Sequence, residues 1–237
     1  MTEPSAFDSY ADDYEAALNR GLSLTGETRD YYAERRVEFI ASYCRRLGLL
    51  TDSVCDFGCG TGDTLPLLHR ALGAQRLIGL DPSARSLSTA RTRHNLANVE
   101  LATPAAFDSA ASECNIVYCN GVFHHIPPSD RRAVARQILA LLRPGGYWFF
   151  WENNPFNLGT RWLMSRIPFD RDAIMLVPRE ARRLGEEVGA IWVETTFHFY
   201  FPRLLRPLRK AERWFLRIPL GGQYLVVLRN PVTNGPR

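Results

Sequence analysis

Short apolar runs alternate with helix-like stretches from about residue 52 onward. The runs are SVCDF, RLIGL, NVELA, NIVYCN and GYWFFW, and they are continuous rather than alternating, as in strands covered on both faces. The stretches between them include DTLPLLHRAL, SARSLSTARTRHN and SDRRAVARQILALL, whose apolar residues recur at helical spacing. Strands that alternate with helices predict right-handed β-α-β units, and hence a parallel sheet with helices on both faces.

The two ends of the chain add further predicted elements. ETRDYYAERRVEFIASYCRRLGLL predicts a helix with an apolar stripe made of Tyr32, Val37, Ile40, Tyr43 and Leu47. LRPGGY predicts a helix end, because a proline and two glycines follow the last periodic residue. AIWVETTFHFYF and QYLVVLRN predict two more strands, which flank a long segment from residue 202 to 222.

Composition favours a single domain over residues 1–237. A chain of 237 residues that is 46% hydrophobic buries one sizeable core more readily than two small ones. No apolar run reaches the roughly 20 residues of a membrane-spanning helix. The N-terminus is acidic and polar, unlike a secretory signal, so we expect a cytoplasmic protein. The five cysteines include no C-x-x-C pair, which predicts reduced thiols and no metal site.

The segment VCDFGCGTGD, residues 54–63, places Gly58, Gly60 and Gly62 directly after the first predicted strand. Ligands of open α/β sheets bind beyond the carboxyl ends of the strands, and glycine there lets a ligand approach the backbone. A dinucleotide fingerprint would place its third glycine at position 63, which is Asp63. No P-loop lysine follows either. The loop therefore indicates a ligand other than a dinucleotide.

The second predicted strand ends in Asp81, within LIGLDPS. An acid at this strand end can accept hydrogen bonds from both hydroxyls of a ribose. The alternative is that Asp81 caps a helix that starts at Pro82.

Four motifs now carry a resemblance. VCDFGCGTGD, LIGLDPS, NIVYCNGVFHHI and LRPGGYWFFWENNP follow one another between Ser53 and Pro155, and together they resemble class I S-adenosylmethionine-dependent methyltransferases. The resemblance implies a Rossmann-like α/β fold whose seven-stranded sheet is mostly parallel, with the last strand antiparallel. It also implies S-adenosyl-L-methionine as the cofactor and S-adenosyl-L-homocysteine as the product.

The same resemblance implies a set of cofactor-binding residues. The methionine part would lie against the loop, the ribose on Asp81, and an N-terminal lid, FDSYADDYEAALNRG, would close over the cofactor. The residues so implied are Tyr10, Tyr14, Asp56, Gly58, Cys59, Gly60, Gly62, Asp81, Pro82 and Asn120. The acid that the family often has near the adenine amino group is missing, because Ala105 and Ala106 stand in its place.

The methyl acceptor should lie beyond the fourth and fifth strands. The N-P-P-Y motif of nucleic-acid amino methyltransferases is absent after strand four, and NNPF comes one strand later, which argues against base methylation. The catalytic candidates are His124, His125 and Glu152. His125 is interpreted either as a brace for its loop or, with the other two, as a candidate general base.

The expected architecture has three parts. Residues 1–50 form a lid and a helix, and residues 51–152 form a cofactor-binding core. Two insertions, 153–177 and 202–221, form a substrate cap. The substrate candidates are Asn153, Asn154, Arg161, Trp162 and Arg166, although a merely turn-forming insertion remains the alternative.

The second insertion carries six basic residues between positions 203 and 217. Leu204, Leu208, Ala211, Phe215 and Ile218 recur at helical spacing. They predict either a helix packed on the sheet with a solvated arginine face, or a surface for an anionic or lipid-linked acceptor with peripheral membrane contact through 203–218.

We expect a small-molecule acceptor, such as a natural-product or cell-envelope precursor, methylated on O, N or C. Two alternatives stay open: a nucleic-acid or protein methyltransferase, and a cofactor-binding regulatory partner without catalysis.

Overall fold

The computed structural model describes residues 26–94, 98–108, 113–167 and 173–232. Seven strands form one sheet in the order β3-β2-β1-β4-β5-β7-β6. Their bounds are β1 Ser53–Phe57, β2 Arg76–Leu80, β3 Val99–Ala102, β4 Cys114–Asn120, β5 Leu142–Asn153, β6 Ile191–His198 and β7 Gln223–Arg229. Strand β7 runs antiparallel to both of its neighbours, and the other pairings are parallel. The predicted Rossmann-like sheet with an antiparallel last strand is thereby confirmed.

Helices cover both faces of the sheet. They are α1 Arg29–Leu47, α2 Leu65–Leu72, α3 Ala84–Arg93, α4 Pro128–Leu141, α5 Leu158–Met164, α6 Pro178–Glu187 and α7 Glu212–Phe215, with 3₁₀ turns at Phe123–His125 and Arg203–Ala211. Helix α1 begins at a Thr28 cap and ends at Gly48, whose φ of 62° suits glycine. Of its predicted stripe, Val37, Ile40 and Tyr43 are buried, whereas Leu47 in the last turn is exposed.

Strand β5 shows why the strand sequences are continuously apolar. Trp148 and Phe150 pack on one face of the sheet with the core beneath α4 and α6. Phe149 and Trp151 pack on the opposite face with the core beneath α1 and α2. Because successive side chains of a strand point to opposite faces, a sheet covered on both sides requires apolar residues at every position.

The segment from Arg203 to Phe215 departs from the predicted single helix. It forms a 3₁₀ stretch with Pro207 inside it, followed by the short helix α7, and none of its residues is buried. Proline lacks the backbone N–H of a helix interior and clashes with the preceding turn, so the apolar periodicity is not realised as one amphipathic helix. The prediction of a regular helix packed on the sheet is wrong.

Both insertions leave the sheet at its carboxyl edge. The first follows β5 and the second follows β6, and both strands run parallel to the central strands. All five cysteines are buried free thiols. Among the described helices, none combines the length and apolarity needed to cross a bilayer.

Candidate active site

A cavity of about 840 Å³ lies at the carboxyl edge of the sheet. Its walls come from the loop after β1, the ends of β2 and β4, the start of α1 and both insertions. This is the place where open α/β sheets bind ligands.

The glycine loop is fixed against the end of β2. The backbone N–H groups of Gly58 and Cys59 donate to the Leu80 carbonyl oxygen, at 2.7 and 3.0 Å. Gly58 has a φ of 79°, and a Cβ on it would lie 2.3 Å from Cγ2 of Val122. Position 58 therefore requires glycine for both its conformation and its close approach to the loop after β4.

Two loop residues serve packing. A Cβ on Gly62 would lie 2.9 Å from the Cβ of Ala90 on α3, and Gly62 lies outside the cavity lining. The thiol of Cys59 points toward Gly79, while the residue still contributes to the cavity wall. Gly62 thus allows close packing of helix α3, and Cys59 contributes mainly backbone to the site.

Asp63, where a dinucleotide site would have glycine, is held by surrounding donors. It pairs with Arg29 at 2.8 Å and accepts a hydrogen bond from the Thr61 hydroxyl at 2.7 Å. Burial raises the pKa of Asp63, but Arg29 and the hydrogen bonds from Thr61 and His94 outweigh it, so the pKa lies below the usual value.

Asp81 joins the ends of two strands. Its Oδ2 accepts from the Gly60 N–H at 2.8 Å, and its Oδ1 accepts from the Ser83 N–H at 2.9 Å. The cap of α3 is Ser83, whose hydroxyl accepts from the Ser86 N–H at 3.1 Å. The alternative in which Asp81 caps a helix starting at Pro82 is therefore wrong. Asp81 and Pro82 both line the cavity.

Asp56, at the end of β1, is 3% exposed. Burial and the neighbouring charge of Asp81 raise its pKa to about 7, against the opposing effect of Arg36 and Arg29. The cavity floor therefore holds a carboxyl group that changes its protonation state near neutral pH.

A buried polar network that the sequence interpretation missed lies beside Asp56. Arg36 on α1 donates from Nε to the Tyr118 hydroxyl at 2.9 Å and from Nη1 to Oε1 of Gln223 at 3.0 Å. Nε2 of Gln223 donates to Oδ1 of Asn153 at 3.1 Å. All four residues line the cavity. The available signal was Arg36 itself, an arginine on the apolar stripe of a predicted helix.

The three catalytic candidates divide into a pair and a neighbour. Nδ1 of His124 and Oε2 of Glu152 lie 2.6 Å apart, and Oε1 of Glu152 accepts from the Phe123 N–H at 2.8 Å. His124 and Glu152 are buried, and only His124 reaches the cavity wall. The rings of His124 and His125 have centroids 4.1 Å apart, and His125 also lines the cavity. The structure thus pairs Glu152 with His124 rather than with His125.

The remaining candidates occupy different places. Asn120 lines the cavity, and its buried Oδ1 has no hydrogen-bond partner among the described residues. Asn153 and Trp162 also line it, whereas Arg161 and Arg166 lie outside the lining. Asn154 is fully buried, and its Nδ2 donates to the Gly221 carbonyl at 2.7 Å, so it secures the chain. The predicted lid residues Tyr10 and Tyr14 lie outside the described residues.

Comparisons with known proteins agree with this geometry. Residues 54–146 match a family described as "Methyltransferase domain". A Cronobacter sakazakii protein named ubiquinone biosynthesis O-methyltransferase is 31% identical over 196 residues, or 77% of this chain and 76% of that protein. A Variovorax paradoxus trans-aconitate 2-methyltransferase is 30% identical over 172 residues, or 72% of this chain and 54% of that protein.

Solved structures show the same fold. A methyltransferase in complex with its Trm112 activator from Haloferax volcanii has a TM-score of 0.64 at 18% identity, covering 97% of this chain and 100% of that one. The plantazolicin methyltransferase BamL, in complex with a substrate analog and S-adenosylhomocysteine, has a TM-score of 0.61 at 14% identity, covering 94% and 99%.

These findings place the chain in the class I S-adenosylmethionine-dependent methyltransferases, to which it belongs. It is a methyltransferase enzyme whose cofactor is S-adenosylmethionine. The cavity fits this cofactor, because the glycine backbone of residues 58–60, the carboxyl groups of Asp56 and Asp81, and the Oδ1 of Asn120, which no described residue hydrogen-bonds, line one space.

The raised pKa of Asp56 predicts a pH-dependent stability. The folded protein binds this proton more tightly than the unfolded chain, so the stabilising contribution is full at low pH and is lost as pH rises through 7. We expect the Asp56→Asn variant to gain about 1–2 kcal/mol of unfolding free energy relative to the ligand-free wild type between pH 6 and about 8. Denaturant titrations at both pH values measure this difference. The exposed Asp52→Asn is the control, and parallel pH curves for wild type and Asp56→Asn would contradict the assignment.

Proposed function

We propose that this enzyme methylates a hydroxyl oxygen of a largely apolar small molecule, with His124 as the general base. The observation that carries the proposal is the buried His124–Glu152 pair at the cavity wall, 2.6 Å between Nδ1 and Oε2. A carboxylate oxygen only accepts hydrogen bonds, and Glu152 already accepts one from the Phe123 N–H. Nδ1 of His124 therefore carries the proton, and Nε2 is the basic nitrogen.

The cofactor half of the cavity is assigned to the loop and strand ends. Asp81 would accept hydrogen bonds from the ribose hydroxyls, and Asp56, Asn120 and the backbone of Gly58 and Gly60 would hold the methionine part. When bound, S-adenosylmethionine supplies a methyl group on a positively charged sulfur. The chain's own task is to hold the acceptor oxygen in line with that group and to remove its proton.

The proton goes to Nε2 of His124. The acceptor oxygen would then take the methyl group that bound S-adenosylmethionine would supply, with S-adenosylhomocysteine as the second product. Glu152 stabilises the resulting imidazolium through Nδ1–H. Glu152 itself lies behind His124 and outside the cavity lining, so it is a positioning residue.

The insertions supply the acceptor half of the cavity, and we propose that residues 153–177 and 202–221 form the substrate cap. The first insertion lines the cavity with the apolar Trp162, Leu163, Met164 and Ile167 and with the polar Asn153, Asn157 and Thr160. The second insertion contributes Pro202, and the aromatic Tyr200 and Phe201 line the cavity just before it. An apolar lining with few polar groups suits a ring or chain more than a highly charged molecule. Several relatives bear the name of an O-methyltransferase of ubiquinone biosynthesis, which supports an oxygen acceptor.

A carboxylate acceptor is the second candidate, because one relative is named for methylation of trans-aconitate. Such an acceptor is already deprotonated and requires cations rather than a base. The arginines of the cavity lining are Arg29, paired with Asp63, and Arg36, bonded to Tyr118 and Gln223. The geometry therefore favours the hydroxyl.

An acceptor panel with one common alkyl tail tests the proposal. We expect the alkyl catechol to be methylated with kcat/KM at least about 10-fold above that of the matched alkyl aniline and alkyl benzoate, because only the hydroxyl uses both the base and the apolar cap. Mass spectrometry of the products and the release of S-adenosylhomocysteine measure it. Methyl ester from the benzoate alone would refute hydroxyl transfer. Methylation confined to RNA or protein would refute the small-molecule assignment.

A further inference from the structure

Large apolar side chains are exposed on both insertions. Leu204 is 89% exposed, Leu158 76%, Trp214 70% and Leu220 61%. Leu158 belongs to α5, and the other three belong to the second insertion. Single exposed leucines are ordinary on a soluble protein, but a contiguous group of them marks an interaction site.

Hydrogen bonds hold the two insertions side by side. Nδ2 of Asn157 donates to the Leu220 carbonyl at 2.7 Å, and the Thr160 hydroxyl donates to the Gly222 carbonyl at 2.9 Å. Helix α5 is thus fixed against the end of the second insertion. Leu158 and Leu220 therefore belong to one surface, although 62 positions separate them in the chain.

This surface borders the mouth of the cavity. Trp162 both lines the cavity and is nearly half exposed, so it lies at the rim. Pro202, which opens the second insertion, is also exposed and lines the cavity. An occupant of the apolar surface would therefore lie next to the acceptor entrance.

The second insertion, to which Leu204, Trp214 and Leu220 belong, is basic. Glu212 is the one acid of residues 202–221, and its Oε1 accepts from the Tyr200 and Phe201 N–H groups, both at 3.2 Å. Arg209 pairs with Glu27 at 2.8 Å. Within the part of the chain that the structure describes, Arg206, Lys210 and Arg217 are exposed and form no ion pair. Their charges are therefore available to an anionic partner.

Arginine also stacks on the exposed indoles. The guanidinium of Arg213 lies 4.8 Å from the ring centroid of Trp214, and that of Arg166 lies 4.8 Å from that of Trp162. Tryptophan and arginine both have an apolar body and a polar tip, and both are favoured where lipid meets water.

We propose that this rim surface docks the enzyme on an anionic lipid bilayer and turns the cavity mouth toward it. The rim surface comprises the apolar Leu158, Trp162, Leu204, Leu208, Trp214 and Leu220 with the basic Arg206, Lys210, Arg213 and Arg217. Exposed apolar and aromatic side chains insert into the interface, and each nearby basic residue is attracted to anionic headgroups. A lipophilic acceptor would then reach the cavity directly from the membrane. The delivery of an acceptor from the membrane rests on the proposed function, whereas the docking itself can be measured without any acceptor.

Vesicle sedimentation tests the docking with the full chain. We expect at least about 10-fold stronger partition onto phosphatidylcholine vesicles with about 30% phosphatidylglycerol than onto phosphatidylcholine alone. The Leu204→Ala/Trp214→Ala variant should lose about 10-fold of that partition, and Arg206→Glu/Lys210→Glu should lose at least as much. Tryptophan fluorescence should shift to the blue on the anionic vesicles in the wild type, and to a smaller extent without Trp214.

Matched controls are available away from the rim. Leu50 is exposed before β1, and Arg132 and Arg136 are exposed on α4, so Leu50→Ala and Arg132→Glu/Arg136→Glu should bind vesicles as the wild type does.

Equal binding to neutral and anionic vesicles would overturn the proposal, as would rim variants that bind like the wild type. A stable dimer that shields Trp214 and does not bind vesicles would assign the surface to a second copy of the chain instead. Catechol methylation without vesicle binding would overturn only the docking, and vesicle binding without catechol methylation would overturn only the proposed reaction.

Discussion

His124→Asn should lower kcat by at least about 100-fold while the protein keeps its fold and binds S-adenosylmethionine within about twofold of the wild type. The asparagine Nδ2 can donate to Glu152 as Nδ1 of His124 does, so the substitution preserves the brace and removes the base. Steady-state kinetics with the best acceptor of the panel, together with calorimetric cofactor titration and thermal melting, measure the three quantities.

Two further variants make this test decisive. His125→Ala should lower kcat less than about 10-fold, because His125 does not contact Glu152 in any described hydrogen bond. Glu152→Gln keeps the shape of the side chain but loses its charge, which stabilises the imidazolium of His124. It should therefore lower kcat and move the acidic limb of the pH–rate profile to lower pH, a change that a purely structural role would not produce. Full turnover in a folded His124→Asn variant would assign His124 as a brace only.

The position of Gly58, Gly60 and Asp81 at the cavity could be predicted from the sequence because the signals are local. Gly58 and Gly60 follow a strand within a few residues, and Asp81 ends the next one, so a pattern of apolar runs and glycines suffices to place them at one edge. The strands themselves were accessible for the same reason. Strand β5 is covered on both faces, and its sequence is apolar at every central position.

The polar network of the cavity floor was not accessible, because it joins distant parts of the chain. Arg36 and Tyr118 are 82 residues apart, and Arg36 and Gln223 are 187 apart. No local pattern records which side chains the sheet order will bring together. The same holds for His124 and Glu152, whose pairing depends on β4 and β5 being neighbours.

The helix predicted for the second insertion was wrong for the opposite reason, because the local sequence pattern was misleading. Leu204 and Leu208 have helical spacing, but Pro207 prevents a continuous helix and the sheet offers these side chains no packing partner. Periodicity predicts a helix only where another surface buries the apolar stripe. Here Leu204 and Leu208 are exposed, whereas Phe215 packs on Tyr200 and Phe201.

Gly58→Ala should weaken S-adenosylmethionine binding by at least about 100-fold and lower the melting temperature. The new Cβ would lie 2.3 Å from Cγ2 of Val122, far inside contact distance, so the loop or the Val122 segment must shift. The φ of 79° adds strain, on the order of 1–2 kcal/mol for a residue with a side chain. Both effects act on the loop after β1, which we propose holds the methionine part of the cofactor.

The two causes can be separated. Gly58→Ala/Val122→Ala removes the clash and keeps the strain, so it should recover most of the lost affinity and leave a deficit of roughly 10-fold. Gly73→Ala is the strain-only control: its φ is 66°, no heavy atom lies within 4 Å of the added Cβ, and it lies outside the cavity lining. That variant should lower the melting temperature slightly and leave cofactor affinity unchanged. Equal cofactor affinity of Gly58→Ala and Gly73→Ala would show that the cofactor does not bind against the loop after β1. The added side chain must displace that loop, and a ligand in contact with it would bind more weakly.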